Sequence, residues 1–172
     1  GLAYDTIYDA NGNVASDITF LAEPYAPFFG GPEDSAQFQG FSRLCSSALV
    51  ERRQFRTRGL TNTIYFAGEE DGGGFNSVGG AEWALDPATG DMWHLPDLGR
   101  GGWENVTVLD TGDDDTVAVI LMDDTSPFDF DGADGVEAAP LFLYVGEKDP
   151  DGDFPARNGL RGGTLHVWVA DN

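Results

Sequence analysis

The hydrophobic pattern changes character near residue 60. Beyond it, short runs of branched and aromatic residues alternate with turn signals. These runs are Thr63–Ala67, Ala81–Leu85, Asp91–Leu95, Glu104–Leu109, Thr116–Met122, Pro140–Val145 and Gly163–Val169. Runs of this length bounded by Gly, Pro, Asn and Asp predict β-strands. The punctuation is Gly72-Gly73-Gly74, Asp86-Pro-Ala-Thr-Gly90, Thr111–Asp115, a loop around Phe128–Glu137, and Asp149-Pro-Asp-Gly-Asp153. Strands without intervening helices exclude a parallel βαβ sheet and predict an all-β fold. The first forty residues carry Asn11-Gly12-Asn13, Pro24, Pro27 and Gly30-Gly31-Pro32 with little periodicity, and read as irregular. Residues 41–58 are ambiguous: Phe41, Leu44, Cys45, Ala48 and Leu49 fit the spacing of a short helix. The division is therefore an irregular segment over 1–60 and a β-region over 61–172.

The β-region repeats coarsely. Thr63–Ala67 is followed by Glu69-Glu70, and Thr116–Met122 by Asp123-Asp124, 54 residues further on. After each pair come a loop, an aromatic strand, a turn and a strand with a tryptophan, Trp93 or Trp168. A period near 50 made of meanders predicts about two four-stranded β-propeller blades. An ordinary β-sandwich fits the same pattern. In the propeller reading the second and fourth strands of a blade run the same way. Their outgoing loops then open on one rim, which gathers Glu69, Glu70, Asp123, Asp124 and the connection Leu98–Glu104. Carboxylates so crowded do not all stay ionised without cations, so a metal cluster is the natural compensation.

Composition sharpens this. The 172 residues hold 30 acids against 9 bases, net charge −21; 21 of the acids are Asp and the one lysine is Lys148. A field of that sign repels phosphodiester backbones and argues against nucleic-acid binding. No apolar run approaches the ~18 residues that span a bilayer. Cys45 is the single cysteine, so no internal disulfide forms, and His94 and His166 are too few for a multi-histidine zinc site. No stretch looks like a signal peptide, and the chain opens without Met, as a processed chain or a fragment does. The Asp surplus suits calcium, whose ligands are hard oxygens, and equally suits salty surroundings that screen self-repulsion.

The acidic turns Asp9-Ala-Asn-Gly-Asn13, Asp129–Gly135 and Asp149–Asp153 resemble pieces of calcium loops, yet none completes the twelve-residue pattern, and turn formation accounts for each. His94 and His166 sit in alternating strands as packing or surface residues. The chain has no Gly-x-Ser-x-Gly elbow, phosphate-cradling glycine-lysine loop or His-Glu-x-x-His motif.

Several stretches together carry a resemblance. They are Arg43-Leu-Cys45-Ser46, Ile64-Tyr-Phe-Ala-Gly-Glu69-Glu70, Trp83-Ala-Leu-Asp86-Pro-Ala-Thr-Gly90, Leu98-Gly-Arg100-Gly-Gly-Trp-Glu104-Asn105, Val119-Ile-Leu-Met-Asp123-Asp124, Pro140–Lys148 and Arg157-Asn-Gly159…Gly163-Thr-Leu165. Over about residues 42–169 the chain resembles PhoX-type phosphatases, calcium-dependent alkaline phosphatases built on a β-propeller. The resemblance implies a secreted (extracellular or periplasmic) enzyme that hydrolyses small phosphomonoesters at a calcium and iron cluster. It makes Cys45 an iron ligand, Glu70 and Glu104 carboxylate ligands, and Arg100 the residue that meets the substrate phosphate. The pairs Glu69-Glu70 and Asp123-Asp124 supply the metal rim. Two departures stand out. Trp103 occupies a position where the family often has His, and two blades do not close a ring. The remaining blades then come from the same or another chain. The alternative is a non-catalytic propeller-like subunit with a structural or surface-binding role. An acidic β-domain adapted to salt is a third reading.

Overall fold

A computed structural model describes residues 6–8, 12–14, 43–70, 80–124 and 141–168. The Asp129–Gly135 turn, the Gly72–Gly74 punctuation and most of the first forty residues lie outside them.

The described residues form an all-β fold of two sheets. The first contains β1 (Thr6–Tyr8), β2 (Leu44–Val50), β3 (Ile64–Glu69), β4 (Gly80–Leu85) and β5 (Asp91–His94), in the order β1-β5-β4-β3-β2. Strands β2 to β5 are an antiparallel meander, and β1 adds in parallel to β5, with Tyr8 stacked on Trp93 at 3.9 Å. A short strand β6 (Arg100–Gly101) pairs with the start of β4. The second sheet is a four-stranded antiparallel meander of β7 (Trp103–Leu109), β8 (Thr116–Asp123), β9 (Leu141–Glu147) and β10 (Thr164–Val167).

One expectation is corrected here. Leu44–Val50 is a strand, where the spacing of Leu44, Cys45, Ala48 and Leu49 allowed a short helix. Ser46, Ala48 and Val50 turn inward and Leu49 outward, so the working period is two. A segment with two consecutive serines and a terminal valine gains more from pairing its whole length with β3 than from an isolated turn of helix.

Alternation sets what meets what. Ile64 and Phe66 of β3 and Ala84 of β4 face the second sheet. There they pack on Val106, Val108, Val117, Val119, Leu121 and Tyr144. Burying each large side chain contributes roughly 1.5–3 kcal/mol, so this inter-sheet layer dominates stability. The opposite face of the first sheet carries a second cluster of Ala67, Ala81, Trp83, Leu85 and Met92.

The turns close with their own side chains. Asp86 accepts from the Ala88 amide at 2.9 Å, and Gly90, at φ 83°, ends that turn. Asp113 accepts from the amides of Asp115 and Thr116, both at 2.8 Å. Asp149 accepts from Asp151, and Asp153 caps the one-turn helix α1 (Phe154–Arg157) by accepting from Ala156. The Asp149–Asp153 carboxylates thus serve as turn and cap acceptors.

Fully buried Asn158 ties the two sheets at this end. Its amide group donates to the Phe154 carbonyl and to Asn62, and its Oδ1 accepts from the Asn62 amide at 2.8 Å. Among the described residues no helix is long and apolar enough to cross a membrane.

Candidate metal centre

Strands β3 and β8 end side by side at the rim opposite Asn158, and the connection through Gly102 lies between them. Glu70 bridges to Gly102, and the Asp124 amide donates to the Gly102 carbonyl at 2.7 Å. This joins two sequence-distant acidic strand ends.

Glu104 and Cys45 reach the rim by a shared device. The register of β2 on β3 jumps between Leu44 and Ser46, so Cys45 is a bulged residue; that of β7 on β8 jumps between Trp103 and Asn105, so Glu104 is one too. A bulge adds an unpaired residue and re-aims its side chain. Each bulge lies in the first strand of a meander, opposite the acidic end of the second strand. The repeat is thus visible in backbone geometry as well as in sequence.

The outcome is a cluster of three carboxylates. One oxygen from each of Glu70, Glu104 and Asp124 lies within 4.8 Å of the others. Oxygens that ligate calcium at 2.3–2.6 Å lie no more than about 5 Å apart across the ion, so the spacing fits. Cys45 is exposed and hydrogen-bonds to Glu70. The donor set is three hard oxygens, and Cys45 lies next to one of them, Glu70.

The electrostatics follow. The Cys45 hydrogen bond, the Arg43 charge and the contact with Asp124 hold the Glu70 carboxyl below its ordinary range against partial desolvation. The same hydrogen bond to Glu70 pushes the Cys45 thiol up, and the Arg43 charge only partly opposes it. With chelator present, Cys45 is therefore expected to alkylate slowly for an exposed cysteine. Glu70→Gln should speed the reaction at pH 8, measured with iodoacetamide and intact mass; an unchanged rate would show that the pair does not interact.

The sequence-derived site residues divide. Glu70, Glu104 and Asp124 come together, with Cys45 beside Glu70. Glu69 does not join them: its Oε2 accepts from the Ala81 amide at 3.0 Å and from the Trp83 indole at 3.1 Å on the other face of the sheet. Asp123 turns back to the backbone, accepting from the Gly102 amide at 2.9 Å. Strand alternation sends neighbours to opposite faces, so only one acid of each pair joins the cluster.

Arg100 lies on β6 opposite Ala81, beside the Glu69 charge. Arg43 is a cation at the rim: its Nη2 lies 3.0 Å from Glu70 Oε2 and its carbonyl accepts from the Glu70 amide. The Arg43-Leu-Cys45 spacing was the available signal for it. The bulge that carries Cys45 to that rim leaves no mark in composition.

His94 packs on Trp83, ring centres 4.9 Å apart, and His166 faces solvent, so neither is near the cluster. Buried Glu82 was not singled out by sequence. It lies between the sheets, near Gly68 and the Trp103 carbonyl, with no hydrogen-bond partner for either oxygen.

Comparison with protein-family models, curated proteins and solved structures finds no match to this chain.

Proposed function

We propose that the two meanders are successive blades of a β-propeller and that their shared rim is the metal centre of a secreted phosphatase of the PhoX type, or of part of one. The observation that carries the reading is the convergence of Glu70, Glu104 and Asp124 from two different sheets onto one 4.8 Å cluster. The matching bulges at Cys45 and Glu104 support the repeat.

In this reading Glu70, Glu104 and Asp124 hold calcium, and Cys45 is placed to add a thiolate for iron. Bound cations there supply Lewis acidity and a water of lowered pKa. Arg43, exposed beyond its contact with Glu70, takes the oxyanion role that the resemblance gave to Arg100, since its planar fork matches phosphate oxygens. Glu70 holds that guanidinium in place. The substrate is a small phosphomonoester, and further blades from the same or another chain complete the ring.

A second reading is favoured by two positions. Trp103 is wholly buried where the resemblance leads one to look for a histidine, and Arg100 sits beside Glu69. A propeller subunit that binds cations at this rim without turnover fits both.

The test is metal analysis and hydrolysis of p-nitrophenyl phosphate after reconstitution with calcium and iron. At least one tightly bound cation and measurable hydrolysis are expected. Glu70→Gln and Glu104→Gln should each weaken the cation by more than the ~10–100-fold typical of outer-shell partners. Binding without hydrolysis selects the second reading, and neither binding nor hydrolysis removes both.

A further inference from the structure

The far end of the sheets, where Asn158 sits, carries an anomaly of charge. In a chain with 30 acids and 9 bases, guanidinium groups are expected to find carboxylates easily. Arg58 does so with Asp110 at 2.7 Å, and Arg161 with Asp153 at 3.1 Å. Among the described residues, no carboxylate lies within ion-pair distance of Arg53 or Arg157. Both line one cleft of about 400 Å³, together with Lys148, Thr57, Asp114 and Asp115. Three of the nine basic residues therefore converge on one concavity, at the end of the sheets opposite the carboxylate rim.

We propose that this cleft is an anion-binding site for a phosphate or sulfate group, free or carried on a small molecule. The walls are set by structure. Arg53 is held at φ 51°, its amide donating to the Leu60 carbonyl at 2.8 Å. A non-glycine residue in the left-handed region is strained, and such strain persists only where the surroundings fix it. Thr61 donates to the Arg157 carbonyl at 2.8 Å, and Asn62 and Asn158 bond to each other, so the two loops bearing the cations are pinned together. Lys148 donates to the Asp114 carbonyl at 2.5 Å. Arg157 lies over the Phe154 ring, 5.3 Å from its centre, which orients the guanidinium.

Two acids, Asp114 and Asp115, share the lining with the three cations, which leaves one positive charge in excess. The Asp114 carboxylate also accepts from Thr57 at 2.9 Å. Burial lowers the Lys148 pKa most; the Asp115 and Asp114 charges oppose that, and the Arg53 charge adds to it. Two forks and an ammonium suit a tetrahedral oxyanion better than a halide. The overall negative charge repels anions at long range, but at ~0.15 M salt that field decays within about 8 Å.

The experiment is thermal unfolding of the full chain in EDTA, which keeps cations off the distant rim. Inorganic phosphate, sulfate and glycerol phosphate are each compared with NaCl at matched ionic strength. Saturable stabilisation by the oxyanions, and not by chloride, is expected. Tighter response to glycerol phosphate than to inorganic phosphate identifies a carried group; the reverse identifies the free ion. Arg53→Gln should weaken the response about tenfold or more, the worth of one charge-assisted contact. Arg157→Gln should do the same, and Arg53→Gln alone decides the matter if loss of the Phe154 contact unfolds the other variant. Glu70→Gln should leave the response intact, which separates this site from the proposed metal centre. No difference between oxyanions and chloride up to about 10 mM, where even a millimolar site fills, would overturn the proposal. So would an undiminished response in Arg53→Gln.

Discussion

Trp103→Ala is expected to cost about 3–5 kcal/mol, the range for truncating a buried tryptophan. Trp103 is 0% exposed and meets Phe142 edge-on, ring centres 5.4 Å apart. Its carbonyl accepts from Ser46 of the other sheet at 2.7 Å, so residue 103 is where the two sheets are joined in both side chain and backbone. For a chain of this length each kcal/mol moves the melting temperature by roughly 2–4 °C, so a fall of about 10 °C is expected. Circular dichroism melts measure it. Trp103→Phe separates packing from polarity: the buried indole N–H has no partner, so a phenyl ring loses volume but no hydrogen bond. Its cost should be well below that of alanine. A loss under about 1 kcal/mol for the alanine variant would mean that the inter-sheet layer is not what holds the fold.

Glu82→Met is expected to raise stability at neutral pH by about 1–3 kcal/mol, the cost of a buried polar group left without a partner. Glu82 is 0% exposed and both carboxyl oxygens lack partners. Burial pushes its pKa well above the ordinary 4.5, and the Glu69 charge adds to the shift. The folded state therefore holds this proton more tightly than the unfolded chain. The associated stability is whole below the unfolded value and is lost as pH rises through the folded one. Wild type should thus weaken on the alkaline side of pH 4.5 more steeply than Glu82→Met, in urea titrations at several pH values. A destabilised methionine variant with an unchanged pH profile would sink this account.

The sequence made the strands legible because alternation and turn chemistry are local. Ile64, Phe66, Val117 and Val119 announce themselves by period and composition, and the Asp86–Gly90 turn by its residues. Leu44–Val50 was harder, since its apolar spacing satisfies two periods and only pairing with β3 decides. The rim was half legible. Acidic strand ends are visible in the chain, yet which member of each pair faces the site depends on register. Glu70 and Asp124 come to the cluster while Glu69 and Asp123 turn away, a one-residue distinction. The bulges at Cys45 and Glu104 are backbone irregularities that no residue type demands. The surroundings of Arg100 were not legible either: its glycine neighbours signal close approach without saying to what.

The outermost strand of the second sheet, β10, pairs on one side only among the described residues, and its last residue Val167 and the following Trp168 are 55% and 64% exposed. Such a margin offers hydrogen-bonding groups and apolar surface to any passing chain. Mutual repulsion between molecules of charge −21 is then the safeguard against sticky encounters. That safeguard fades near the isoelectric point, about 4.1, so colloidal behaviour in acid is governed by this margin and not by the core.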